Sequence, residues 1–194
     1  MAYLHNLSFD IQGRVGQYLR SVTDQWLLVA PLANPAMLEM FADRETPPYR
    51  NLMPWAGEFA GKYLTSAVLV LRLTGDERLR DLLERFVTRL VSLQEADGYL
   101  GPWPRNARLT NFSPHHGSDG MPTWDTWGHY HIMVGLLLWH ETENTHHESN
   151  RQALDCACRI ADLICQKYLS PGAQRPRLVD TGSTEMNLAP VHAL

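Results

Sequence analysis

Residues 54–91, PWAGEFAGKYLTSAVLVLRLTGDERLRDLLERFVTRLV, hold two helices and the turn between them, and the contrast between the helices decides the fold. In the first, Trp55, Phe59, Tyr63, Ala67 and Leu71 stack at four-residue steps in a segment that is apolar on several faces. Thr74-Gly75-Asp76 then breaks the helix, and Asp76 is suited to cap the next one. That second helix carries Leu79, Leu82, Leu83, Phe86, Val87, Leu90 and Val91 on one stripe, with Arg80, Glu84, Arg85 and Arg89 mostly off it. A helix buried on several sides followed by one buried on a single side is an inner and outer pair.

The pattern recurs downstream. Gly61-Lys62-Tyr63-Leu64 … Leu71-Arg72-Leu73-Thr74-Gly75-Asp76 has a counterpart in His129-Tyr130-His131 … Leu138-Trp139-His140-Glu141-Thr142-Glu143-Asn144, and aligning Thr74 with Thr142 sets a shift of 68 residues. The second inner helix spans residues 125–141. Its outer partner opens on a capping box at Ser149 and Gln152 and lays Leu154, Ala157, Cys158, Ala161, Ile164, Cys165 and Tyr168 on one face. Upstream, Ile11 to Val29 reads as an amphipathic helix, and Asn34-Pro35 opens a short one through Phe41. Thr184-Glu185-Met186-Asn187 begins a third inner helix, and no segment alternates as a strand does. The fold class is therefore all-α, with helical hairpins that stack into a solenoid or an α/α-toroid.

Composition narrows the function classes. The 194 residues carry a net charge of −4, which argues against a nucleic-acid partner. The longest apolar run, Ile132 to Trp139, is far short of the ~18 residues that cross a bilayer, so no membrane association is expected. Cys156, Cys158 and Cys165 are too close together for a disulfide framework, and Met1 is followed by no signal sequence; the expectation is a cytoplasmic protein. The chain contains six Trp and nine His, unevenly placed, which is more than a helical scaffold requires.

In a ring of hairpins the inner-helix N-termini and the loops before them share one end. Those segments hold Trp55, Glu58, Lys62, Trp124, Asp125, Trp127, His129, His131 and Glu185, and His116 lies in the unpatterned loop of residues 98–125, where it would line the cleft mouth. Flat aromatic rings among a few carboxylates, imidazoles and an amine are suited to a sugar. His129 and His131 are two residues apart, so on a helix they point about 200° from each other and do not share a metal. A carboxylate in a first turn, such as Glu58 or Asp125, also serves simply to stabilise the helix dipole. Cys158 and Cys165 read as small apolar residues of a buried stripe, with Cys156 off it, and Trp26 and Trp139 read as core.

Trp55-Ala56-Gly57-Glu58-Phe59-Ala60-Gly61-Lys62-Tyr63-Leu64, Leu73-Thr74-Gly75-Asp76, Gln94-Glu95-Ala96-Asp97-Gly98-Tyr99-Leu100-Gly101 and Trp127-Gly128-His129-Tyr130-His131 resemble glycoside hydrolase family 127, over roughly residues 8–194. The resemblance implies a six-hairpin (α/α)6 toroid, a carbohydrate substrate, and hydrolysis of non-reducing-end β-L-arabinofuranoside-type linkages by the full-length protein. It also implies a zinc-bound cysteine nucleophile with cysteine and glutamate ligands and a glutamic acid/base, none of which has a matching position here. The expectation is that residues 1–194 form the N-terminal half of one toroid, supplying Trp55, Glu58, Lys62, His116, Asp125, Trp127, His129, His131 and Glu185 to the substrate cleft, while the C-terminal half of the ring and its chemistry lie elsewhere. Two other readings stay open: a toroid of another kind, such as a sugar epimerase or uronyl hydrolase, and a non-enzymatic helical-repeat interaction module.

Overall fold

In a computed structural model of the chain, which describes residues 9–110, 113, 123–142, 148–169 and 171, the turn at Thr74-Gly75-Asp76 forms as its chemistry requires. Gly75 takes φ +62°, closed to most side chains, and its N–H donates to the Leu71 carbonyl. Asp76 then accepts from the backbone N–H groups of Arg78 (2.9 Å) and Leu79 (3.3 Å). The turn joins α4 (Glu58–Thr74) to α5 (Glu77–Ser92), and the second hairpin joins α6 (Asp125–His140) to α7 (Glu148–Leu169). Before them come α1 (Gly13–Val22), α2 (Ala30–Ala33) and α3 (Ala36–Ala42). Every regular element among the described residues is helical, and no helix among them is long and apolar enough to cross a membrane.

The two inner helices run parallel and touch backbone to backbone. Gly57 lies against Gly128, Gly61 against His131 and Ile132, and Gly135 against the Gly61 carbonyl and Leu64. Leu64, Ala67, Val68, Ile132 and Leu136 close the core behind this contact. The outer helices each bury one stripe. On α5 this is the expected set from Leu79 to Leu90, with Glu84, Arg85 and Arg89 exposed. The second hairpin is tied differently from the first: the Asn150 side-chain amide donates to the Trp139 carbonyl and the Thr142 hydroxyl.

Three expectations are corrected. The stripe of α7 is Ala153, Cys156, Ala157, Ile160, Ile164 and Tyr168, one position out of phase with the sequence reading, so Cys156 is buried and Cys158 exposed. Ser149 and Gln152 form no capping box, because the helix already includes Glu148, to which the Gln152 amide donates. The helix expected from Ile11 to Val29 is interrupted by a π-helical segment, Thr23–Leu27, whose wider turn shifts the phase. Leu27 is therefore the residue that inserts, its carbonyl accepting from the Tyr63 hydroxyl at 2.7 Å, while Trp26 is 56% exposed; Trp139 is buried as expected.

The glycine contact allows a test in which two effects oppose. Alanine is the better helix former by about 1 kcal/mol, but a methyl group at Gly61 would stand 2.2 Å from the His131 carbonyl carbon, which is backbone and cannot rotate away. Gly61→Ala is expected to lower stability by about 2 kcal/mol in chemical denaturation, because overpacking outweighs propensity. An unchanged or raised midpoint would contradict this packing.

Candidate functional site

The parallel helices bring their first turns to one end. There Glu58, in the first turn of α4, reaches across to α6. One carboxylate oxygen accepts from the Trp127 indole N–H, and the other pairs with Lys62 Nζ at 2.7 Å. The Lys62 ammonium sits 5.5 Å from the Trp127 ring centroid, and Tyr130 stacks on that indole with centroids 5.6 Å apart. His131 meets Trp127 edge-on at 4.4 Å. Trp55 and Trp124 pack against each other at 5.3 Å, fixed where the Trp124 N–H donates to the Pro54 carbonyl. Trp55, Glu58, Lys62, Trp127 and His131 thus lie at the same end of the inner-helix pair, and Tyr130 joins them.

His131 titrates far from its ordinary value. Burial first, then the neighbouring Lys62 charge, push the imidazole down to about 4, against a smaller opposing pull from Glu58. It is neutral at neutral pH.

Asp125 and His129 point the other way. Both are buried, Asp125 at 2% and His129 at 0% exposure, and both hold the segment that follows α5. One Asp125 oxygen accepts from the Tyr99 hydroxyl (3.0 Å) and the Leu109 N–H (2.8 Å). His129 Nε2 accepts the Leu100 N–H, so the ring proton sits on Nδ1 and faces the Asp125 carbonyl 2.8 Å away. The 200° separation of the two histidines therefore puts His131 at the site and His129 in the wall.

Around Tyr99 the wall is charged. The Arg108 guanidinium lies 4.2 Å and that of Arg44 5.6 Å from its ring centroid. Both arginines pair with Glu95, as does Arg105 at 2.7 Å. Burial works to raise the Glu95 carboxyl, but Arg108, Arg44 and Arg105 together outweigh it and hold it below its ordinary value. Part of the stretch read from sequence as a long loop is thus a packed plug: Tyr99, Leu100, Trp103 and Leu109 are all buried. His116 and Glu185 lie outside the described residues.

The described residues offer no fit for the zinc implied by the resemblance. Among the described residues no cluster of three or more His, Cys, Asp or Glu side chains forms a donor set. The Cys156 thiol, buried on α7, is pushed up to about 12, the reverse of the thiolate that a metal requires.

Tyr130, between the two histidines, joins the site although no spacing in the sequence singles it out. Arg44 and Arg108 carried no local signal, since their partners come from distant segments.

A family model described as Beta-L-arabinofuranosidase, GH127 catalytic domain, matches residues 10–194. Two solved structures share the fold. A GH127 β-arabinofuranosidase superposes with a TM-score of 0.65 at 18% identity, over 94% of this chain and 29% of that one. A GH127 β-L-arabinofuranosidase from Geobacillus stearothermophilus T6 gives 0.62 at 18% identity, over 96% of this chain and 30% of that one. The chain therefore spans about 30% of the length of the structures it matches. No curated protein sequence matches it.

The depressed His131 value has a pH consequence. Between its ordinary 6.5 and about 4, the unfolded chain binds a proton that the fold does not, so stability falls as the pH drops through that window. His131→Gln should flatten the fall in acid denaturation, and the wild-type His131 ring resonances should stay at their neutral positions down to about pH 5. A ring that titrates near 6.5 would contradict the half-buried environment beside Lys62.

Proposed function

This chain belongs to the GH127 β-L-arabinofuranosidase catalytic-domain family, and on that premise we propose that it supplies the sugar-facing end of a glycosidase toroid acting on β-L-arabinofuranoside-type linkages. The observation that carries the reading is the convergence of Glu58 and Lys62 from α4 with Trp127, Tyr130 and His131 from α6 at one end of two parallel inner helices. Indole and phenol rings offer apolar faces to a sugar's C–H surface. The remaining Lys62 protons and a neutral imidazole supply directional hydrogen bonds. Trp55 extends the aromatic surface beside Trp124.

Asp125 and His129, on this reading, hold the wall behind the cleft rather than touching sugar. Hydrolysis requires a nucleophile and an acid across the scissile bond. We assign neither role to a described residue, and no step to zinc. The remaining inner helices of the ring would come from further sequence. Lys62 is already paired with Glu58, which favours an uncharged pentose over the uronate that a uronyl hydrolase would take. The three free thiols suit a reducing compartment such as the cytoplasm.

Methyl β-L-arabinofuranoside titrated into the 194-residue chain should change its tryptophan fluorescence saturably, and Trp127→Ala should remove the response. Hydrolysis of the same glycoside by this chain, with or without zinc, is not expected. Turnover would place a nucleophile among these residues, and a flat titration would overturn the sugar-binding reading.

A further inference from the structure

We propose that Glu58 is a positioning residue, a clamp that holds Trp127 and Lys62 in one wall of the cleft; the inference rests on the sugar-binding reading above. A carboxylate at an inner-helix start invites two simpler assignments, a sugar ligand or a helix-dipole partner. The geometry points away from both.

The side chain is 8% exposed, and both of its oxygens already accept from the protein, one from Trp127 and one from Lys62. A sugar hydroxyl would have to displace one of these donors to reach it. A dipole partner needs only to sit in the first turn. Glu58 instead bridges to a residue 69 positions away on the neighbouring helix.

What the bridge fixes is the environment of the indole. With its N–H held by Glu58, the Trp127 ring has Lys62 at 5.5 Å, Tyr130 stacked on it and His131 at its edge. The same carboxylate holds the ammonium, so ring and cation are set together by one group. Lys62 is the exposed member, at 46%, and keeps two of its three protons for a ligand. Glu58 therefore acts on the sugar through its neighbours.

Two readouts test this on the 194-residue chain. The first needs no ligand. The Trp127 indole N–H resonance should be protected from solvent exchange in the wild type and lose that protection in Glu58→Ala. Glu58→Gln, whose amide oxygen still accepts from the indole, should retain it. The second is binding of methyl β-L-arabinofuranoside. Glu58→Ala and Trp127→Phe should each weaken it about tenfold, and the double variant should fall well short of the roughly hundredfold loss of two independent effects, because the Glu58–Trp127 interaction is removed only once. Lys62→Met should cost about threefold, and Glu58→Gln should fall between the wild type and Glu58→Ala.

Additive losses in the double variant would overturn the clamp, as would an indole N–H that is unprotected in the wild type or indifferent to Glu58→Ala. A protected, Glu58-dependent indole in a chain that binds no arabinofuranoside would leave the bridge intact, but would sink both the sugar-binding reading and the clamp's role in it. Sugar binding retained in full by Glu58→Ala would sink the clamp alone.

Discussion

The backbones of α4 and α6 meet at glycines, and this close approach determines what the site end of the molecule contains. With Gly57 against Gly128 and Gly61 against the His131 backbone, side chains flanking the seam span from one helix to the other without long reaches. That is how a glutamate on α4 comes within hydrogen-bond range of an indole on α6. A larger residue at Gly61 would push the helices apart and open the Glu58–Trp127 bridge as well as the core beneath it. Stability and site geometry are therefore governed by the same contact.

Behind the seam, the molecule places charge where apolar packing would be simpler. Arg44 and Arg108 are nearly buried around Tyr99, a position that is costly unless every charge finds a partner. Glu95 answers both, and Arg44 also donates to the Gly101 carbonyl at 2.7 Å. Asp125 and His129 complete the set from the helix side. The result is a buried loop segment hydrogen-bonded to the start of α6, the stretch that carries Trp127. The polar groups near the inner-helix starts thus divide into one set that joins Glu58, Lys62 and Trp127 and another that fastens the loop.

Much of this was legible in the sequence, for identifiable reasons. The α5 stripe from Leu79 to Leu90 follows from its periodicity, and the Asp76 cap from a short side chain placed after Gly75. The opposite directions of His129 and His131 follow from helix geometry alone. The errors arise where period reasoning loses a fraction of a turn. The α7 stripe is rotated by one residue, so Cys156 rather than Cys158 is buried, and the π-helical segment at Thr23–Leu27 turns Trp26 outward and Leu27 inward. A pattern averaged over a long window cannot register one extra residue in a turn.

By itself the sequence determined the helices of the two described hairpins, their pairing into inner and outer members, and the end of the pair at which aromatic and ionisable residues collect. These depend on spacing along the chain, which local geometry converts directly into faces. Only the tertiary structure decided which of those residues meet. Glu58 and Trp127, Arg108 and Glu95, and Tyr99 and Asp125 are partners across segments, chosen by how closely two helices approach and how a loop folds back between them. That information resides in packing, and no periodicity encodes it.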